Sequence, residues 1–155
     1  MIDVGYFALL LAFLAAGYAA VTSVVGARGR NPQLIASGEH GVLAVFGMLT
    51  LSAGVLVYHL ATGNFQVEYV ASYTSSTLPT FYRVTALWAG QKGSLMLWGW
   101  TLSFFAVVVL LTNRRQNRVL MPYVHAVMMS ITMFFIALNV FFANPFALLP
   151  FVPAE

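Results

Sequence analysis

The stretch YFALLLAFLAAGYAAVTSVV, residues Tyr6–Val25, decides the fold. It holds no Asp, Glu, Lys or Arg and lacks the period-two alternation of a half-buried strand. A helix rises about 1.5 Å per residue, so about 20 such residues cross a hydrocarbon core of about 30 Å. Hydrocarbon offers backbone N–H and C=O groups no partners, which leaves helices and closed barrels as spanning structures. Three further runs share these properties: about Gly41 to Ala61, Leu95 to Thr112 and Leu120 to Ala143. The reading is an all-α integral membrane protein with four transmembrane helices. The start, MIDVGYF, carries Asp3 and no basic residue, and the first run is too long for a signal-peptide core, so it reads as a retained helix.

Composition agrees. Of 155 residues 61% are hydrophobic and 7% charged, whereas about a quarter of a soluble domain is charged. Without cysteine there is no disulfide, no thiolate metal site and no C-x-x-C-H haem attachment motif. The net charge of +3 comes from arginines grouped in short links, not from the contiguous basic stripe that binds nucleic acid. Asp3, Glu39, Glu68 and Glu155 are the only acids. None lies in a crossing, so the proton-relay pattern of pumps and transporters is missing. No hydrolytic triad, phosphate loop or paired-carboxylate site is visible either. No catalytic residue and no metal ligand is therefore assigned.

The links set orientation. The first, Gly26 to His40, carries Arg28 and Arg30; the third, Asn113 to Arg118, carries Arg114, Arg115 and Arg118. The positive-inside rule puts both in the cytoplasm. The N-terminus, the loop 62–94 and the C-terminus then lie outside a plasma (inner) membrane. An odd number of crossings would put the two basic links on opposite sides.

The outer loop is the informative segment. Phe65 to Tyr73 has strand-like composition, and Thr74 to Thr77 is a polar break. Pro79 can occupy a first helical turn. Phe81, Val84, Leu87 and Trp88 then fall at helical spacing, so Pro79 to Ala89 reads as a short interfacial helix. Gly90 and Gly93 are expected to end it and Ser94 to cap the third crossing. Trp98 and Trp100 extend the aromatic belt. At the other end of the chain, Asn144-Pro145 is expected to stop the fourth helix. Phe146 to Val152 is too apolar to sit in water, and a continuing polypeptide or a tight partner is expected to cover it.

The loop and its flanks, YVASYTSSTLPTFYRVTALWAGQKGSLMLW, resemble the first external loop of the CcmF-type subunits of the cytochrome c haem lyase. The matching positions are Tyr69 to Ser72, Leu78, Pro79, Tyr82 to Val84, Trp88, Gly90, Gly93 to Leu95, Leu97 and Trp98. Asn144, Pro145 and Phe146 match the family's Asn-Pro-Phe after the fourth helix. Gln91-Lys92 departs from the family's His-Glu or similar pair. The family is several times longer, and its tryptophan-rich W-G-G-x-W-x-W-D segment has no counterpart here. The resemblance therefore implies the N-terminal portion (residues 1–155) of a haem lyase, acting in c-type cytochrome biogenesis. In that family haem arrives from a haem chaperone on the outer face, and its vinyl groups are joined to the thiols of apocytochrome c. The rest of the lyase chain, other maturation-complex subunits and membrane lipid are the remaining implied partners. This portion is expected to be scaffold, not to catalyse alone or to ligate haem iron.

Against that frame, Tyr82, Arg83, Trp88 and Trp98 are the residues placed to touch haem or a protein partner. A guanidinium can hold a haem propionate in bidentate fashion, and tryptophan can stack on a porphyrin. The plainer reading gives Arg83 a lipid phosphate or Glu68, and the tryptophans an ordinary interfacial belt. His40 and His125 are the one histidine pair at a common depth able to hold a haem iron. The resemblance puts no ligand there, and they read as wet-boundary residues. His59 lies about 28 Å from His40 along one helix and reads as an aromatic-boundary residue. The methionines read as packing. The rival reading of the whole chain is a small structural subunit of a respiratory or transport complex without a haem role. It accounts for the four crossings but not for the loop pattern.

Overall fold

A computed structural model describes residues 1–151. Six α-helices occur in the order α1 (Ile2–Arg28), α2 (Pro32–Thr62), α3 (Glu68–Tyr73), α4 (Thr80–Thr85), α5 (Gln91–Asn113) and α6 (Met121–Phe141), with one 3-10 turn at Ala86–Trp88. α1, α2, α5 and α6 are each long and apolar enough to cross a membrane. They form a ring in which α1 packs on α2 and α6, and α5 packs on the other sides of the same two helices. One end of the ring carries the loop of residues 63–90. The other carries Arg28, Arg30, Arg114, Arg115 and Arg118.

The interior stripes recur every three or four residues, as helix packing requires. On α1 they are Leu9, Ala12, Ala16 and Ala19; on α5, Met96, Gly99, Ser103, Ala106 and Leu110. On α6 they are Met129, Thr132, Ile136 and Asn139. Large apolar side chains such as Leu14, Val21, Phe105, Leu111, Phe134 and Phe141 point outward. That is the inverse of a soluble bundle. Because lipid is as apolar as leucine, close backbone approach, not hydrophobic exclusion, holds such helices together. α1 and α2 achieve it with small residues: a Cβ on Gly41 would sit 2.8 Å from the Cβ of Ala19, and one on Gly38 would strike the Ser23 hydroxyl.

This packing changes where the second crossing begins. The sequence reading started it at Gly41, but α2 starts at Pro32 because the Asn31 side chain accepts hydrogen bonds from the Gln33 and Leu34 amides. Gly38 and Gly41 are helix–helix contact points, not breaks. The first link therefore shrinks to residues 29–31, and Arg28 ends α1, where a cation suits the helix dipole. The other crossings keep their places with shifted ends.

The loop end differs more. Phe65 to Tyr73 is a turn followed by α3, not a strand. Its one β-type contact is an isolated antiparallel bridge between Val67 and Leu148, flanked by Glu68 N–H to Ala147 O and Leu149 N–H to Gln66 O, both 2.9 Å. Its aromatic and β-branched residues reflect burial: Val67, Tyr69 and Val70 are all inside. Likewise Phe146 is buried over Gly5, where a Cβ would collide with its ring. The start of the apolar C-terminal stretch is thus covered by this chain itself, although Leu148 and Phe151 stay exposed. Val152 lies outside the described residues.

If close approach sets the α1–α2 geometry, Gly41→Leu should lower stability by about 1–3 kcal/mol through overpacking. Gly54→Leu, whose side chain would enter open space, should stay within about 0.5 kcal/mol. Thermal unfolding in detergent micelles measures both, and equal losses would discard the close-approach account.

Candidate functional site: a pinned platform at the loop end

Outside the spanning helices the backbone has no ladder to close its hydrogen bonds, and here a single phenol does much of that work. Tyr69 projects from α3 and is almost fully buried. Its hydroxyl lies 2.8 Å from Ala86 O, 3.0 Å from Leu87 O and 3.4 Å from Gly90 O, and it accepts from Gly90 N–H at 3.1 Å. The Tyr73 ring lies 4.9 Å from that of Tyr69 and covers Gly90. A Cβ on Gly90 would strike this ring, and one on Gly93 would strike Leu87 O and the Tyr69 hydroxyl. Gly90 is the N-cap of α5 and Gly93 lies inside it, so only the first marks a helix boundary. Ser94 does not cap α5; its hydroxyl donates to Trp88 O at 3.0 Å.

Two further ties hold α5 in place. Lys92 forms a 3.0 Å ion pair with Glu68, and the buried amide of Asn139 on α6 donates to Lys92 O at 2.8 Å and to Ala143 O at 3.1 Å. The expected Glu68 partner for Arg83 is thereby taken. Arg83 instead donates to Thr80 Oγ1 at 3.2 Å and lies across Gly63, whose left-handed conformation (φ 67°) and missing Cβ admit the guanidinium. Arg83 is half-buried and partly structural.

The expected interfacial helix divides into α4, N-capped by Pro79, and the 3-10 turn. This tightening turns Ala86 and Leu87 inward while Phe81 and Trp88 face out, so the four apolar residues at helical spacing do not share a face. Tyr82, Trp88 and Trp98 are 59%, 59% and 60% exposed, which leaves their aromatic surfaces open to a ligand. Tyr82 meets Phe81 edge-on at 5.6 Å. Trp98 lies two turns into α5, about 10 Å from its start. Trp100 is committed elsewhere, bonding Thr50 and stacking on Phe104.

The histidines do not assemble a site. His40 is exposed and His125 buried, so the pair shares no environment. His59, in the last turn of α2 beside the Tyr58 ring, is buried, with Nδ1 3.2 Å from the Asn64 amide. Among the described residues no group of three metal-ligating side chains exists. The loop end exposes Tyr82 and Trp88, whereas His59 beneath it is buried. Sequence reasoning missed Tyr69 and Asn139. A lone amide inside an apolar run was the available clue to the latter.

Tyr69→Phe removes the hydroxyl that serves these carbonyls and the Gly90 amide, and should cost about 1–3 kcal/mol. Burial, reinforced by Tyr73, raises the Tyr69 pKa, with the backbone hydrogen bonds opposing. The unfolded phenol ionises near pH 10, so stability should be constant below that and fall as pH rises beyond it. Limited proteolysis of residues 63–90 across pH should show this fall in the wild type and a weaker one in Tyr69→Phe.

No protein-family model matches the chain. The cytochrome c-type biogenesis protein NrfE of Haemophilus influenzae is 34% identical over 154 residues, 99% of this chain and 24% of that protein. CycK of Rhizobium meliloti, also a cytochrome c-type biogenesis protein, is 32% identical over 155 residues, 100% of this chain and 23% of that one. CcmF of Haemophilus influenzae is 30% identical, covering 93% and 22%. A solved structure of the cytochrome c haem lyase CcmF shares the fold, with a TM-score of 0.86 at 20% identity over 94% of this chain and 24% of that one. The chain thus spans about a quarter of the length of the curated relatives it matches. Over its whole length this multi-pass membrane chain is homologous to the CcmF and NrfE family of cytochrome c-type biogenesis proteins.

Proposed function

We propose that the chain forms part of the membrane scaffold of a haem lyase, and that its loop-end platform faces the outer side of the plasma membrane, where haem is attached to apocytochrome c. Its relatives are cytochrome c-type biogenesis proteins along the whole of this chain. The observation that carries the reading is the pinned platform itself. Buried polar contacts fix its backbone, while its large aromatic side chains are left exposed. A surface of that kind serves recognition, since aromatic anchors on a rigid frame lose little entropy on contact.

In this reading haem is cargo. Trp88, Trp98 and Tyr82 offer it flat apolar contact, Arg83 offers a propionate partner, and the iron ligands come from outside this portion. The remainder of the lyase chain, a haem chaperone and the apocytochrome dock around the same face. Thioether formation joins haem vinyl groups to cysteine thiols, and no side chain here is assigned a step in it. Five of the seven Lys and Arg residues lie at the opposite end, which supports a cytoplasmic location for that end.

Two experiments test this. The chain has no cysteine, so Thr77→Cys and Asn117→Cys each create a unique label. A membrane-impermeant maleimide should reach Cys at 77 in intact cells and at 117 only after permeabilisation; the reverse pattern would invert the topology. Disruption of the gene should abolish covalent haem in c-type cytochromes. Restoring it with Trp88→Ala and Trp98→Ala together should recover about tenfold less than wild type at equal protein level, at about 0.5–1.5 kcal/mol per aromatic contact. Undiminished cytochromes after disruption would favour the structural-subunit reading instead.

A further inference from the structure

At the arginine end, the link between α5 and α6 and the first turns of α2 and α6 line a half-open pocket of about 420 Å³. This is within the range of small-ligand sites. Its walls include Ile35 and Glu39 from α2, Arg114, Arg115 and Arg118 from the link, and Pro122 from α6. Glu39 is largely covered and holds Arg114 at 2.9 Å. It is the single carboxylate among these walls, and Arg115 and Arg118 form no ion pair among the described residues. Three guanidiniums against one carboxylate leave the cavity with an excess of two positive charges, in a form suited to the oxygens of a phosphate.

The neighbouring residues narrow the ligand further. Val119 and Leu120 follow Arg118 directly and are 86% and 59% exposed. α5 ends at Asn113 and α6 starts at Met121, so this link lies where spanning helices leave hydrocarbon. A cationic cavity with bare aliphatic side chains beside it at that depth matches a molecule with a phosphate at one end and acyl chains at the other. Basic pockets between spanning helices take anionic headgroups in this way.

We propose that this cavity binds the headgroup phosphate of an anionic phospholipid, with Arg115 and Arg118 as its principal partners and Glu39 limiting the charge by engaging Arg114. Val119 and Leu120 lie against the acyl chains. The site is independent of the haem-lyase reading, since it requires only the bundle and its boundary.

The test uses the full-length protein purified in detergent, with thermal stabilisation read during titration with phosphatidylglycerol, phosphatidylcholine or inorganic phosphate. Phosphatidylglycerol should raise the unfolding temperature, and the other two should not. Arg115→Gln with Arg118→Gln should weaken the apparent affinity about tenfold, at roughly 1 kcal/mol per basic residue near the headgroups. Arg28→Gln with Arg30→Gln, at the same end but outside the cavity, should leave it near wild type. Glu39→Gln should bind more tightly because Arg114 is freed. Equal stabilisation by phosphatidylcholine would overturn the proposal. So would stabilisation by inorganic phosphate alone, which marks a free-anion site, or an equal loss in the Arg28/Arg30 variant, which marks diffuse surface attraction. Weaker binding by Glu39→Gln would overturn the role given to that carboxylate.

Discussion

Hydrocarbon cannot hydrogen-bond, and the rest of this structure follows from how its polar groups are closed without water. The four long helices satisfy their own backbones. Their buried hydroxyls are mostly closed the same way, Thr22 on Tyr18 O, Thr132 on Met128 O and Ser103 on Trp100 O. Two of the other buried polar side chains bond to a neighbouring helix. Ser52 on α2 donates to Gly5 O of α1 at 2.9 Å, and Asn139 on α6 donates to Lys92 O of α5. These cross-ties link adjacent helices near the loop end.

Beyond the helix ends the same requirement is met by side chains. Asn64 accepts from Gln66 N–H, Asn144 from Phe146 N–H, and Tyr69 serves the backbone from Ala86 to Gly90. Lys92 and Glu68 consume each other's charge. Within residues 63–90 the exposed side chains include Phe81, Tyr82 and Trp88 beside polar residues such as Gln66, Ser72, Thr77 and Thr80.

The four crossings were legible because runs free of charge are long and rare in any other setting. Helix starts were less so. The second crossing was read from Gly41, and only the face of α1 explains Gly38 and Gly41 as contacts within a longer helix. Phe65 to Tyr73 resembled a strand because burial, which selects Val67, Tyr69 and Val70, also selects the residues strands prefer. Tyr69 could not be identified from local pattern, since its partners lie 17 to 21 residues away. Glu68, one of the two partners the plainer reading offered Arg83, is held by Lys92 instead. Tyr82, Trp88 and Trp98 are exposed, and His125, read as a wet-boundary residue, is buried: a polar residue near a helix end looks wet unless the packing that covers it is known.

The two ends of the bundle divide the labour of fixing depth. Arginines at one end favour the headgroup phosphates, and tilt and rotation in a bilayer are set by such anchors together with helix packing. With that boundary fixed, α5 carries the chain across: its 23 residues rise about 35 Å, which sets Gln91 and the platform above it at the opposite headgroup layer. Trp88 then lies at that layer and Trp98 about 10 Å below it, on the hydrocarbon side. A single ligand touching both must itself be apolar at one edge and polar at the other. Haem, with its vinyl edge and its propionate edge, has that asymmetry, and under the proposed function the depth difference between these two tryptophans would orient it.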